Sequence, residues 1–181
     1  LIKDYKKMVT MDFKKIDNLV LVIGKTEGHI DQSLFARSIL DEKNGPPPEV
    51  NLFNEKNNGE SLLNLINKDY IQSAHDISLG GLITAISKMC IQGNKGIKLK
   101  KSNNFVNELE YLFCEDQGRY IIEIKPEDLK EVTNLLDKNS VHYDELGIIT
   151  DKDIIINQKT KLTIDELKSY YTNWLTNYMS A

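Results

Sequence analysis

Ala74-His75-Asp76-Ile77-Ser78-Leu79-Gly80-Gly81 is the stretch on which the reading of this chain turns. The preceding Tyr70-Ile71-Gln72-Ser73-Ala74 mixes apolar and polar residues and predicts a short strand running into it. Leu82, Ile83, Ala85, Ile86, Met89 and Cys90 recur at offsets of three and four and predict a helix running out of it. Between strand and helix stand an imidazole, a carboxylate, a hydroxyl and two adjacent glycines. A strand-to-helix turn aims backbone N–H groups beyond the strand end. Glycines there, lacking Cβ, allow a ligand or a second backbone to come close.

Outward from this centre the chain alternates strands and helices without a strict βαβα order. Leu19-Val20-Leu21-Val22-Ile23-Gly24 is a continuous apolar run ended by glycine and reads as a strand buried on both faces. Ile30 to Leu40 has helical spacing, with Asp31 or Ser33 as its cap. In Asn44-Gly45-Pro46-Pro47-Pro48 three consecutive residues lack a backbone donor and have fixed φ, so it is a stiff connector, read as a loop within one domain. Glu60 to Lys68 is predicted helical. Lys95 to Lys100, Arg119 to Ile124, Val141 to Thr150 and Ile154 to Ile156 are predicted strands or extended segments. Asn107 to Phe113 reads as a short helix. Pro126-Glu127-Asp128 opens another, with proline and acids in its first turn. A last helix starts near Thr163 and carries Leu167, Tyr170, Tyr171, Trp174, Leu175 and Tyr178. The pattern predicts an α+β fold, a mixed β-sheet covered by helices.

Composition narrows the function class. The 181 residues suffice for one domain with a substantial core, and 1–181 is read as such, with 1–8 and 179–181 as linker or frayed ends. A net charge of -4 with scattered lysines argues against a nucleic-acid partner held by bulk electrostatics. No run approaches the roughly 18 apolar residues of a membrane span, and no signal peptide is evident, so no membrane partner and a cytoplasmic location are expected. Cys90 and Cys114 sit in apolar patterns outside any C-x-x-C arrangement and read as buried thiols of a reducing compartment. The start at Leu1, within a charged segment, suggests a piece of a longer polypeptide.

Two polar clusters carry what chemistry the chain offers. Asp76, past a strand end, could ligate Mg²⁺, since hard cations take carboxylate oxygen; equally, Asp76 or Ser78 could cap the helix beginning near Gly80. His75 as a base is the weaker reading of a lone histidine. Glu115-Asp116-Gln117-Gly118-Arg119 packs two acids, an amide and a guanidinium between a helix and a strand. It could hold a polyhydroxylated or phosphorylated ligand, or be a solvated turn in which Arg119 pairs with Glu115.

Ala74-His75-Asp76-Ile77-Ser78-Leu79-Gly80-Gly81-Leu82, followed by Leu112-Phe113-Cys114-Glu115-Asp116-Gln117-Gly118-Arg119-Tyr120, closely resembles the phosphoribosylformylglycinamidine synthase family. The family's patterns at these places are His-Asp-Val/Ile-Ser-Asp-Gly-Gly-Leu and Leu-Phe-Ser/Gly-Glu-Ser-Gln-x-Arg-Tyr/Phe. Gly45-Pro46-Pro47-Pro48, the Ile148-Ile149 strand and the Trp-containing last helix also fit, so the resemblance spans residues 8–178. Related synthetases and a hydrogenase maturation protein share the glycine pair but lack the Glu-x-Gln-x-Arg element.

The resemblance implies the second C-terminal domain of a tandem-duplicated synthetase, with the sandwich fold of the aminoimidazole ribonucleotide synthetase C-terminal domain. It implies an ATP-dependent ligase of purine biosynthesis that converts formylglycinamide ribonucleotide, with ammonia from a glutaminase subunit or domain, to formylglycinamidine ribonucleotide. ATP and Mg²⁺ would serve the full enzyme, and a structural ADP with Mg²⁺ a second, pseudo-symmetric site. No catalytic residue is implied in this chain. The implied nucleotide- or substrate-binding residues are Ser78, Gly80, Gly81, Glu115, Gln117 and Arg119, with Asp76 on Mg²⁺. Two departures stand out: Leu79 replaces an acid, and Asp116 replaces a serine and must turn away from a polyanion or bind a cation. The rival readings are a non-catalytic scaffold module and a domain of another superfamily member such as the hydrogenase maturation protein.

Overall fold

The computed structural model describes residues 4–100, 107–158 and 160–180. Seven strands form one mixed sheet: β1 (Leu19–Ile23), β2 (Ile71–Asp76), β3 (Gly96–Leu99), β4 (Tyr120–Ile124), β5 (Tyr143–Thr150), β6 (Ile154–Ile156) and β7 (Thr160–Leu162). Their order across the sheet is β2-β4-β1-β5-β3-β6-β7, with only β3 and β6 parallel. The helices are α1 (Leu34–Ser38), α2 (Leu52–Asn67), α3 (Gly81–Gly93), α4 (Glu108–Phe113), α5 (Leu129–Lys138) and α6 (Ile164–Met179). The predicted α+β architecture is the observed one.

The apolar run of β1 explains the layering. Side chains alternate across a strand, so Val20 and Val22 face one way and Leu21 and Ile23 the other. Val20 and Val22 join a core with Ile121, Leu82, Ile86 and Met89, under α3. Leu21 and Ile23 join a second core with Ile122, Leu65, Val132 and Leu136, under α2 and α5. Every apolar residue that defined the α3 periodicity is buried. Antiparallel neighbours flank β1 on both sides, Leu19 lying opposite Ile124 of β4 and Ile148 of β5.

Three elements differ from the sequence-based expectation. α2 begins at Leu52, well before Glu60, because Asn51 caps it by accepting from the Asn54 N–H at 3.0 Å. Its first turns are held by amides: Asn58 Nδ2 donates to the Gly118 carbonyl (3.0 Å) and Asn57 Nδ2 to that of Asn139 (2.7 Å). Apolar periodicity does not register such contacts. α1 is shorter than predicted, with Ser33 as the cap. β7 has one apolar residue in three and is legible only through its pairing with β6. Of the ends read as linker or frayed, residues 1–3 and 181 lie outside the described residues, while Tyr5–Lys7 form a 3₁₀ turn.

The glycine pair is a packing requirement. Gly81 has φ +70°, and a Cβ there would stand 2.7 Å from the Cys114 carbonyl oxygen and 2.7 Å from the Phe113 carbonyl carbon. Gly80 has φ +85°, but the atoms nearest to a Cβ there belong to the Thr84 side chain, Oγ1 first. Gly81→Ala is expected to destabilise the fold by about 2–4 kcal/mol, combining left-handed backbone strain with overpacking against backbone. Gly80→Ala should cost about half as much, since Thr84 can rotate. Urea unfolding of the two variants side by side checks the order; equal effects would refute the packing argument.

Candidate functional site

The loops 24–29, 76–81 and 114–119 meet at one end of the sheet, around the junction of β1, β2 and β4. Ile77 N–H continues the β2–β4 ladder by donating to the Arg119 carbonyl (2.9 Å), and Gly81 N–H closes a turn onto the Ser78 carbonyl (3.0 Å). The two sequence clusters are therefore brought together. What they do to one another differs from what local sequence implied.

Glu115 extends its carboxylate to the N-termini of two helices. One oxygen, Oε1, accepts from the Gly80 N–H at 2.8 Å and from the Leu34 N–H at 2.7 Å, opening α3 and α1 respectively. A carboxylate at a helix N-terminus satisfies orphan donors and meets the positive end of the dipole. Neither Asp76 nor Ser78 caps α3: its N-cap is Gly80, without a side-chain bond.

Asp116 turns inward. Its carboxylate accepts from the N–H groups of Glu27 (2.7 Å), Gly28 (3.0 Å) and His29 (3.1 Å), and the residue is buried. Burial by itself would raise its pKa, but the Gly28 and Glu27 hydrogen bonds and the nearby Arg119 charge outweigh that and hold it below the usual carboxylate value. A serine at this position, with a single oxygen, could not receive all three donors. Arg119, 1% exposed, donates to the carbonyls of Asp116 (3.1 Å) and Cys114 (2.8 Å) and to Thr26 Oγ1 (3.2 Å). The alternative in which Arg119 pairs with Glu115 in a solvated turn is thus corrected: the guanidinium is interior and Glu115 is committed to helix ends. Burial pushes the Cys114 thiol up to about 11 and the Cys90 thiol up as well, so both free cysteines stay protonated.

Of the implied binding residues, Gly80 and Gly81 are buried, Glu115 and Arg119 are engaged internally, and Ser78 and Gln117 are exposed. Asp76 is exposed at the end of β2, its Oδ1 3.1 Å from His75 Nδ1. Desolvation lowers the His75 pKa, against the opposing pull of Asp76. Among the described residues no group of three or more His, Cys, Asp or Glu could hold a metal. Mg²⁺ commonly takes one or two carboxylates together with phosphate oxygens and water. Asp76 fits that role as one ligand, provided a nucleotide supplies the phosphates.

A polar cleft of about 630 Å³ lies beside this junction. Lys25, Glu27, His29, Asn51, Asn54, Glu55, Asn58, Gln117 and His142 are among its lining residues. Asp116, Gln117 and Gly118 of the second sequence cluster line it, and of the residues implied to bind nucleotide or substrate Gln117 is the one among them. Its amides and imidazoles can donate and accept hydrogen bonds, whereas Glu27, Glu49 and Glu55 beside Lys25 disfavour a bare polyanion. Sequence reading missed the lining residues outside the 115–119 cluster; the local signals for them are Gly24 and Gly28 around the end of β1 and the asparagine-rich start of α2.

The site's frame is a helix-covered mixed sheet with a glycine pair wedged against a Glu-Asp-Gln-Gly-Arg loop. Residues 15–157 match the family described as AIR synthase related protein, C-terminal domain, and the chain belongs to that family. Over 179 residues it is 68% identical to the phosphoribosylformylglycinamidine synthase subunit PurL of Pelagibacter ubique, a match covering 99% of this chain and 24% of that protein. The Bartonella henselae subunit of the same name is 37% identical over the same shares. The chain thus spans about a quarter of the length of the curated relatives it matches. Among solved structures, T. maritima PurL complexed with FGAR superposes with a TM-score of 0.73 at 16% identity, over 90% of this chain and 30% of that one. E. coli HypE, a hydrogenase maturation protein, reaches 0.61 at 14% identity over 86% and 51%. Likeness at these identities speaks for the fold. Among the described residues, no helix is long and apolar enough to cross a membrane.

Proposed function

We propose that this chain is one domain, the second C-terminal one, of a PurL-type ATP-dependent ligase of purine biosynthesis acting in the cytoplasm. The observation that carries the reading is the 68% identity to a PurL subunit along essentially the whole chain, at a quarter of that protein's length. T. maritima PurL, which shares the fold, has been solved with ATP, with ADP and with FGAR. In the proposed reaction ATP phosphorylates the amide oxygen of formylglycinamide ribonucleotide, and ammonia from a glutaminase partner displaces the phosphate. Mg²⁺ would neutralise the phosphates while the protein positions them.

Within that enzyme the chain's contribution is framework together with one nucleotide-facing edge. Glu115, Asp116 and Arg119 are consumed in holding loops and helix ends, which favours the scaffold side of the reading. Asp76, Ser78 and Gln117 remain exposed, and the proposed role of Asp76 is to take one position on Mg²⁺ bound to a structural ADP. Titration calorimetry of Mg·ADP into the full-length polypeptide tests both parts beside a synthetase assay fed with ammonia. The unmodified enzyme should turn over formylglycinamide ribonucleotide; Asp76→Ala should keep that turnover and lose one class of Mg·ADP sites. A full-length enzyme without synthetase activity overturns the ligase reading, and unchanged Mg·ADP binding overturns the role of Asp76. The present chain alone is expected to show no turnover.

A further inference from the structure

The last helix poses a packing problem that this domain does not solve. α6 enters the fold through Ile164, which is buried, and Leu167, which packs on the α3 core, while Lys168 Nζ donates to Asn94 Oδ1 at 2.6 Å. From Ser169 to Ser180 every residue is exposed. Tyr170, Tyr171, Trp174, Leu175 and Tyr178 follow Leu167 at offsets of 3, 4, 7, 8 and 11, the spacing of a single apolar helix face. That face begins in the domain core and continues beyond it for about three turns. Trp174 is 60% exposed and Tyr178 74%.

Two properties exclude a helix built for water. Ser169 to Ser180 contain no Asp, Glu, Lys or Arg, in a chain with 28% charged residues. The same segment is made of Tyr, Thr, Asn, Ser and Trp with one Leu and one Met, mostly weak helix formers, with no ion pair along it. An unsupported helix of this length is marginal even for alanine-rich sequences, so its stability must come from tertiary packing. Charge depletion with tyrosine and tryptophan enrichment is the composition of a buried interface centre. The absence of lysine and arginine disfavours an anionic membrane surface.

We propose that the 169–179 half of α6 is a docking surface for the rest of the same longer polypeptide, which meets it with an apolar, uncharged face. The occupant follows from the relatives. They match this chain over nearly all of its length, yet the match takes up 24% of theirs, so some three quarters of such a polypeptide lies outside it and is covalently attached. A tethered partner has a high effective concentration and needs no charge steering, in keeping with the uncharged stripe. The inference rests on the reading of this chain as one domain of a longer ligase.

Hydrogen–deuterium exchange of the full-length polypeptide, at protein concentrations where sedimentation shows a monomer, tests it. Amides of residues 169–179 should exchange at least about 100-fold more slowly than in an unstructured peptide. A Tyr171→Asp/Trp174→Asp double variant should lose that protection while residues 82–90 of α3 keep theirs. Exchange at peptide rates in the unmodified enzyme overturns the proposal. So does protection that appears only as the protein dimerises, which would assign the surface to a second copy, or only with lipid vesicles. A full-length enzyme that is active in the synthetase assay but unprotected at 169–179 refutes the docking surface and leaves the ligase reading standing. Protection in an inactive full-length protein does the reverse.

Discussion

Replacing Asp116 with alanine should destabilise the protein by about 3–5 kcal/mol at neutral pH, the range for breaking a buried, charge-assisted set of hydrogen bonds. The substitution strands the N–H groups of Glu27, Gly28 and His29 and leaves Arg119 without its nearby negative charge. Asp116→Asn keeps one acceptor oxygen but sets an NH₂ group among the donors, so a loss of about 1–3 kcal/mol is expected. Urea unfolding measures both. The pH dependence has a definite sign. The folded-state pKa of Asp116 is depressed below the ordinary 3.8. Its ionisation therefore stabilises the fold fully above the unfolded value, and that contribution disappears as pH falls from about 3.8 through the lower folded value. The unmodified protein should lose this increment on acidification, and Asp116→Asn should lack it. Equal acid sensitivity in both would refute the assignment.

Glu123→Ala should be of similar size, about 3–5 kcal/mol, through a different part of the molecule. Glu123 lies on β4, fully buried. Its carboxylate accepts from the Lys14 N–H (2.8 Å), the Lys15 N–H (3.0 Å), Asn18 Nδ2 (2.7 Å) and Ser73 Oγ (2.7 Å). These bonds tie the segment before β1 across the sheet and hold Phe13, 1% exposed, over the α3 core. Removing the acceptor leaves two backbone donors and two side-chain donors unsatisfied and unpins that segment. Beyond the drop in stability, hydrogen exchange should show the 13–18 amides opening well below the global unfolding free energy, while β1 keeps its protection. An unaltered exchange pattern there would show that Phe13 packing and the backbone bonds of Phe13 to Met89 and of Asp17 and Asn18 to Ile149 hold the segment without Glu123.

These two acids mark the limit of sequence reading for this chain. Glu123 sits in Arg119-Tyr120-Ile121-Ile122-Glu123-Ile124, where alternation alone cannot tell a solvent-facing acid from one covered by another segment. Its donors come from residues 14, 15, 18 and 73, contacts that no local window contains. Asp116 and Arg119 read equally well as ligand groups or as a solvated turn. The choice lay with loop 27–29, nearly ninety positions away in sequence, whose N–H groups face inward. The same holds for Glu115, whose two donors belong to helices opened at Leu34 and Gly80.

What the amino-acid sequence determined by itself is the α+β class, most of the elements and the family. Each of these is written in short-range signals: the unbroken apolar run at Leu19–Ile23, the three-four spacing after Gly81, and two motifs that lie inside the residues matched by the family. The tertiary structure decided the strand order, which side of the surface each charge occupies, and where apolar faces remain uncovered. Those depend on contacts between distant segments, on desolvation that turns a carboxylate from a ligand group into an internal acceptor, and on the reach of a helix past its own domain. The loop at Ala74–Gly81 shows both sides: its sequence names the family, and only the fold shows that its helix-opening N–H is already taken by Glu115.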